Sequence, residues 1–143
     1  MIEIQVEGLD KLRRALLELP KELHKGPLRA SVSAGAKVVQ KQAALLAPID
    51  EGTLKKAIYR SRSREGSSSV QEMAIVGVRY GKRFRRRGLD AWYWRFIEFG
   101  TRKMRARPFM RPAFEQTKRE QIEAIRDRLA KAIERAADKL KIR

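Results

Sequence analysis

The sequence predicts an α+β fold in which an antiparallel sheet packs against a long C-terminal helix and a second helix. Apolar residues recur at steps of three and four over residues 28–46 and from Arg111 to the end, which is the period of an amphipathic helix. Between these helices, residues 54–62 and 70–80 are typical of strands joined by a turn-rich segment. A chain of 143 residues fits one domain, spanning residues 1–143.

The first twenty residues predict a strand and a short helix. Met1 to Val6 alternates apolar and polar side chains, the period of a strand with one buried face, and Gly8 ends it. Leucines at steps of three and four between Leu9 and Leu19 predict an amphipathic helix that Pro20 stops.

A turn at Gly26-Pro27 precedes the second predicted helix. That helix runs from Leu28 to Leu46, with an aliphatic face formed by Leu28, Val32, Ala36, Val39, Ala43 and Leu46. Ala47-Pro48 ends it, because a residue before proline is disfavoured in helical conformation. Asp50 to Thr53 supplies a turn before the first strand of the sheet, which begins at Leu54.

The two sheet strands are predicted to form a hairpin with a flexible tip near residues 63–69, where Gly66 is followed by three serines. The second strand, Val70 to Tyr80, is apolar on both faces, as in a strand covered on both sides. The segment after it, near residues 81–88, is almost entirely basic and predicts a solvated loop.

Residues 90–99 fit either of two elements. Asp90 is placed to cap a helical turn, yet the alternation of Tyr93, Ile97 and Phe99 also permits a strand. The C-terminal helix then follows, with its entry fixed by prolines at 108 and 112. Its apolar spacing favours packing on its own domain over a coiled-coil seam, because few heptads are present.

Composition excludes several classes of protein. The absence of cysteine excludes disulfides, thiolate metal sites and a cysteine nucleophile. With 43% hydrophobic residues the chain is expected to fold. We expect a soluble protein made in a cytoplasm, since the N-terminus lacks a signal-peptide pattern and no apolar run reaches the ~20 residues that span a bilayer.

The net charge of +17, from 34 Lys and Arg against 17 Asp and Glu, predicts a polyanion or an acidic partner. The densest basic cluster, named here the basic segment, consists of Arg79, Lys82, Arg83, Arg85, Arg86 and Arg87. Phosphates bound without sequence reading and an acidic protein surface are both consistent with it. Phe84 is interleaved, but the segment lacks the spaced aromatics of a platform for single strands, so specific recognition of bases is not indicated.

No catalytic or metal site and no cofactor is predicted. His24 is the one histidine and has no partner at metal-ligand spacing, and Ser67 to Ser69 lacks the pattern of a nucleophile elbow. Asp50 and Glu51 are better explained by the turn than by a two-metal nuclease site. Glu98, flanked by Ile97 and Phe99, is expected to form a structural ion pair with one of three nearby arginines: Arg95, Arg102 or Arg111.

Four segments in order carry a resemblance to a known family: Val6–Leu12, Ala47–Leu54, Tyr93–Thr101 and Arg107–Ala113. The chain resembles the tailed-phage head-tail joining and tail-completion proteins named after gene product ten of the lambdoid phage Hong Kong 97. Trp94 departs from the family pattern, which usually has a small residue there, as does the arginine-rich run before Leu89.

The resemblance implies a structural virion protein that is not an enzyme. Copies would form a ring at the head-tail junction, beside portal-adaptor and tail-tube or tail-terminator proteins, with genomic DNA passing through and no membrane involved. The motif residues expected to have structural roles are Gly8, Ala47, Pro48, Gly52, Thr53, Leu54, Tyr93, Glu98, Phe99, Gly100, Thr101, Pro108, Phe109, Pro112 and Ala113.

Two alternatives remain from the residues alone. A small basic nucleic-acid-binding protein without enzymatic activity would use the basic segment to grip phosphates. A nuclease would require metal-dependent cleavage that depends on Asp50, Glu51 or Glu98, and it is the less favoured of the two.

Overall fold

The computed structural model describes residues 21–49, 52–68 and 71–141, together with Arg14, which is helical. The predicted α+β class is confirmed. In chain order the elements are α1 (Lys21–Leu46), α2 (Thr53–Ala57), β1 (Ile58–Arg62), β2 (Ala74–Val78), α3 (Lys82–Arg85), α4 (Trp94–Phe99), α5 (Met110–Gln116) and α6 (Lys118–Lys141). The predicted strand Met1–Val6, Gly8 and the rest of the predicted helix Leu9–Leu19 lie outside the described residues.

Helix α1 begins earlier than predicted and continues through Gly26 and Pro27, so the predicted turn there is wrong. A proline inside a helix removes one backbone hydrogen bond and clashes with the residue before it. Gly26 reduces that clash because it has no Cβ. The side chain of Ser31 donates a hydrogen bond of 2.7 Å to the Pro27 carbonyl. The predicted end of the helix before Ala47 and Pro48 is confirmed.

The buried face of α1 consists of small residues at every fourth position: Ser31, Gly35, Val39 and Ala43, continued by Ala47 just beyond the helix. This ridge differs from the predicted aliphatic face, because Leu46 remains 36% exposed. Helix α6 packs along α1. A Cβ added at Gly35 would lie 2.8 Å from Ile125 Cδ1, so the two helices approach closely where a side chain is absent.

The predicted strand from Leu54 is wrong over its first residues, which form the short helix α2. Gly52 precedes it with a left-handed φ of 76°. Leu54 and Ala57, three positions apart, are both buried, and this spacing suits a helical turn better than a strand. The strand proper begins at Ile58.

Strands β1 and β2 pair antiparallel, with Ile58 opposite Val78 and Arg62 opposite Ala74. Strand β2 is shorter than predicted, and the expectation that both of its faces are covered is wrong. Val78 is 5% exposed, whereas Ile75 remains 44% exposed. Successive side chains of a strand point to opposite faces of the sheet, so Ile75 and Val78 lie on opposite faces, and the side chain of Ile75 is open to water.

The C-terminal helix predicted from Arg111 is divided into α5 and α6 at Thr117. The Thr117 hydroxyl donates a 2.6 Å hydrogen bond to the Ala113 carbonyl, a side-chain bond of the kind that bends helices. Gln121 Nε2 then donates to the Phe114 carbonyl at 2.9 Å. The prediction that the last helix packs on its own domain is confirmed by its contact with α1.

Within the described residues, a core cluster joins α1, α2, the hairpin and α5. Its buried members are Ala43, Ala47, Leu54, Ala57, Ile58, Val78, Ala91, Phe109 and Ala113. Phe109 is fully buried. Three of the four motif segments therefore meet in one place, because Ala47–Leu54 and Arg107–Ala113 contribute buried residues and Tyr93 packs against them.

Candidate functional site

The carboxylate of Glu98 binds the beginning of helix α5. Glu98 is 6% exposed, and its two oxygens accept backbone hydrogen bonds from Phe109 at 2.7 Å, Met110 at 3.0 Å and Arg111 at 3.0 Å. A carboxylate at a helix N-terminus also interacts favourably with the helix dipole. Glu98 is therefore the cap of α5, supplied from the neighbouring helix α4.

Pro112 completes this arrangement. The first four N–H groups of a helix have no partner within it. Three of those at the start of α5 bind Glu98, the fourth position is Pro112, which has no N–H, and the first bond within the segment runs from Ala113 N to the Phe109 carbonyl at 3.2 Å. Every backbone donor at this helix start is thus accounted for.

The predicted ion pair between Glu98 and an arginine is wrong. None of the ion pairs among the described residues involves Glu98, and the Arg111 guanidinium instead contacts Glu115 at 3.2 Å. The sequence did carry a signal for the true partner. The residues just before α5 are Arg107, Pro108 and Phe109, which offer no side-chain oxygen for capping, so an acceptor from elsewhere was required.

A tight turn connects the two halves of this junction. Gly100 has a φ of 75°, and a Cβ added there would lie 2.8 Å from Ala106 N and 2.9 Å from the Met104 carbonyl oxygen. The Thr101 hydroxyl accepts from Met104 N at 3.1 Å, while Thr101 N donates to the Met104 carbonyl at 2.9 Å. Only glycine fits at position 100 without displacing backbone. The sequence permitted either a helix or a strand for residues 90–99. In the structure this segment contains the helix α4.

The basic segment is displayed on the surface. Lys82, Arg83, Arg85, Arg86 and Arg87 are all exposed, while Arg79 is half-buried with its guanidinium 5.2 Å from the Tyr59 ring centre. Where a solvated loop was predicted, residues 82–85 form the single helical turn α3. The side chains nevertheless remain in solvent, as a charged run requires.

Asp90 contacts the backbone and one side chain of the segment that carries the basic residues, and it does not cap α4. Its Oδ1 accepts from Gly81 N at 2.6 Å, and its Oδ2 lies 3.4 Å from Arg85 Nε. This carboxylate links Gly81, before α3, to Asp90, after it, and it neutralises the charge of Arg85. The other exposed cations have no carboxylate partner among the described residues.

Apolar side chains are also exposed beside the Glu98 junction. Trp92 and Phe96 are 61% and 47% exposed, and their rings meet edge to face at 6.0 Å. Phe96 lines a groove of about 300 Å³ with Pro48, Leu54, Tyr93, Ile97 and Met104. We call Trp92, Phe96 and this groove the apolar surface. Phe99, on the same helix, is 75% exposed.

The remaining candidate residues lie either in the hairpin tip or outside the described residues. Ser67 Oγ accepts a hydrogen bond of 3.0 Å from Met73 N within the hairpin tip. Asp50, Glu51 and Ser69 lie outside the described residues, as does the side chain of His24. Across the described part of the chain, no group of three or more potential ligands is placed to hold a metal ion. Within the same residues, no helix is both long and apolar enough to cross a membrane.

Comparison with known proteins decides the family. A family model described as "Bacteriophage HK97-gp10, putative tail-component" matches residues 10–100, more than half of the chain. The chain belongs to the HK97-gp10-like family. The family predicted from the sequence is thereby confirmed. No curated protein and no solved structure matches the chain.

As an HK97-gp10-like protein, the chain is a phage tail-related structural protein associated with the virion. The matched range includes Ala47–Leu54 and ends at Gly100, the turn after Glu98. Helix α5, which Glu98 caps, lies just beyond the match. The Glu98 carboxylate is therefore one contact between the matched part of this HK97-gp10-like chain and its C-terminal helices, beside the packing of α5 and α6 on α1.

Proposed function

We propose that this HK97-gp10-like protein assembles into a ring at the head-tail junction of a phage or prophage virion, through which the genome passes. It catalyses no reaction. The observation that carries the proposal is the family match to a phage tail component over residues 10–100. Its neighbours in the virion would be portal-adaptor and tail-tube or tail-terminator proteins.

The apolar surface supports assembly. Large exposed aromatic side chains are more typical of interfaces than of the surface of a monomeric protein. A closed ring uses heterologous contacts, in which one face of a subunit meets a different face of the next. In this proposal Trp92 and Phe96 lose their contact with water when a neighbouring subunit binds.

The basic segment supports contact with DNA in transit. Exposed cations without carboxylate partners attract phosphates at long range and hold them weakly in physiological salt. Such contact carries no sequence information, as the passage of a whole genome requires. An acidic patch on a neighbouring protein is the rival occupant of this segment.

Deletion of the gene from the phage or prophage that encodes the chain tests the proposal. Electron microscopy of the lysate should show DNA-filled heads and tails that fail to join, and complementation with the intact gene should restore joined particles. Infectious, joined particles in the absence of the gene would contradict the proposal.

A second candidate function is favoured by the net charge of +17 and by the exposed basic segment. In that case the chain acts as a small nucleic-acid-binding protein without enzymatic activity. Its mark would be tight, salt-dependent binding of duplex DNA by the monomer. Arg85→Gln, Arg86→Gln and Arg87→Gln together would abolish this binding.

A further inference from the structure

A second cluster of arginines, which shares Arg79 with the basic segment, lies in a cleft between α1 and the hairpin. The cleft has a volume of about 390 Å³. Four of its lining residues are arginines: Arg29 from α1, Arg60 and Arg62 from β1, and Arg79 from the end of β2. We call this the arginine cleft. It brings together residues up to 50 positions apart, so no local sequence pattern reveals it.

Charge in the arginine cleft is only partly balanced. Glu72 is its one acidic lining residue, and it receives a two-pronged hydrogen bond from Arg62, through Nε and, at 3.1 Å, through Nη2. This hydrogen bond holds the pKa of Glu72 below its ordinary 4.5, and the positive charges of Arg62 and Arg29 add to the effect. Arg29, Arg60 and Arg79 have no ion pair within the described residues.

Neutral groups orient two of these unpaired arginines. Arg60 donates from Nη1 to Gln40 Oε1 at 2.8 Å and from Nε to Ser33 Oγ at 3.5 Å. A guanidinium has five N–H donors, so Arg60 keeps further donors for a ligand. Arg79 lies over the Tyr59 ring at 5.2 Å. Both arginines are positioned without being neutralised, the state that favours an anionic ligand.

We infer that the arginine cleft is a phosphate-binding site that takes the phosphodiester backbone of DNA. Guanidinium groups bind phosphate through paired hydrogen bonds and in a fixed geometry. Arg60 and Arg62, two residues apart on β1, point to the same side of the strand and form a short row, which suits an extended polyanion.

The inference deepens the proposed contact with passing DNA and rests on the proposed function for the source of that DNA. Arg79 belongs to both the arginine cleft and the basic segment. Phosphate binding by the cleft is, however, measurable on the isolated chain. A lack of phosphate binding is therefore distinguishable from a lack of ring assembly, because ring assembly is measured without DNA.

Binding of a fluorescein-labelled duplex to the full-length chain, followed by fluorescence anisotropy at several salt concentrations, tests the inference. Arg29→Gln with Arg60→Gln should weaken binding about tenfold and lower the slope of log K against log salt by about 2, if each arginine contacts one phosphate. The charge-matched control is Arg119→Gln with Lys131→Gln, both exposed on α6. Equal binding by the two double variants would overturn the inference.

Glu72→Gln gives a test in the opposite direction. Removing the carboxylate that competes for Arg62 should tighten DNA binding several-fold, whereas weaker or unchanged binding contradicts the inference. Circular dichroism checks that each variant is folded. If the double arginine variant does not fold, Arg29→Gln alone carries the test, because no hydrogen bond within the described residues depends on that exposed side chain.

The type of anion is tested by competition. At equal ionic strength, inorganic phosphate should displace the duplex from the unmodified chain better than acetate does, and this difference should disappear in Arg29→Gln/Arg60→Gln. Equal displacement by the two anions would overturn the assignment to phosphate. A second result would also overturn it: the Arg29→Gln/Arg60→Gln variant changes self-association in sedimentation but binds DNA as the control variant does. The cleft would then bind carboxylates of a second copy of the chain.

Discussion

The Glu98 carboxylate accepts the backbone N–H of Phe109 at 2.7 Å, and both residues are buried. They stand 11 positions apart, at the end of α4 and the start of α5. This side chain therefore helps to fix the position of the C-terminal helices relative to the family-matched region, together with the packing of α5 and α6 on α1. The segment that carries the strongest motifs is a structural junction, with Phe109 filling the core beneath it.

Replacing Glu98 by Ala should lower the free energy of unfolding by about 3 kcal/mol, because three backbone donors lose a charged acceptor. Glu98→Gln should cost less, since an amide oxygen still accepts but carries no charge. Urea denaturation measures both. The control is Glu115→Gln, which breaks an exposed ion pair and should change stability by less than about 1 kcal/mol. Similar losses at the two positions would contradict the capping role.

Gly100→Ala should lower stability by about 2 kcal/mol or more, because the added Cβ meets backbone atoms at 2.8 and 2.9 Å in a left-handed conformation. Gly88→Ala is the matched control. Gly88 also has a positive φ, of 63°, but a Cβ there would meet nothing within 4 Å. Thermal unfolding should separate the two variants, and an equal loss would show that the close approach has no effect.

Trp92→Ser with Phe96→Ser should prevent assembly while changing the stability of the monomer little, because both side chains are largely exposed. Phe114→Ser, at a residue 51% exposed on α5, is the control outside the apolar surface. Sedimentation velocity reports assembly and urea denaturation reports stability. Unchanged assembly by the double variant would exclude the apolar surface as a subunit contact.

Stability should fall with acidification partly through Glu72. Its folded pKa is lower than its ordinary 4.5, so its contribution is complete above that value and is lost as the pH falls through the folded pKa. Glu72→Gln should therefore show a smaller loss between neutral pH and about pH 3 than the unmodified chain. Urea denaturation at each pH measures this. Identical pH dependence in both proteins would contradict the pairing with Arg62.

The fold class was predictable because the spacing of apolar residues indicates helices and strands, and in a long helix this spacing recurs over several turns. The end of α1 before Ala47-Pro48 followed from backbone sterics. The start of α1 did not follow from sterics, because Gly26, which has no Cβ, can adopt the helical conformation before Pro27 that is disfavoured for other residues. The division at Thr117 depends on a side-chain bond to the Ala113 carbonyl, a choice that periodicity does not encode.

The candidate sites also differ in how far the sequence predicts them. The basic segment is local in sequence and was found there, whereas the arginine cleft needs the strand register and the packing of α1. The burial of Glu98 was foreseeable from its apolar neighbours. The lack of a capping side chain before α5 indicates that its N–H groups need an acceptor from elsewhere, but it does not select Glu98, and a nearby arginine satisfies the same charge argument for Glu98.

Ring assembly is tested by measuring the mass of the purified chain over a range of concentrations, combined with negative-stain imaging. We expect closed rings of uniform size that form without DNA and are lost in Trp92→Ser/Phe96→Ser. A chain that stays monomeric at every concentration, and as a monomer binds duplex DNA tightly and in a salt-dependent way, would contradict ring assembly and establish the nucleic-acid-binding alternative.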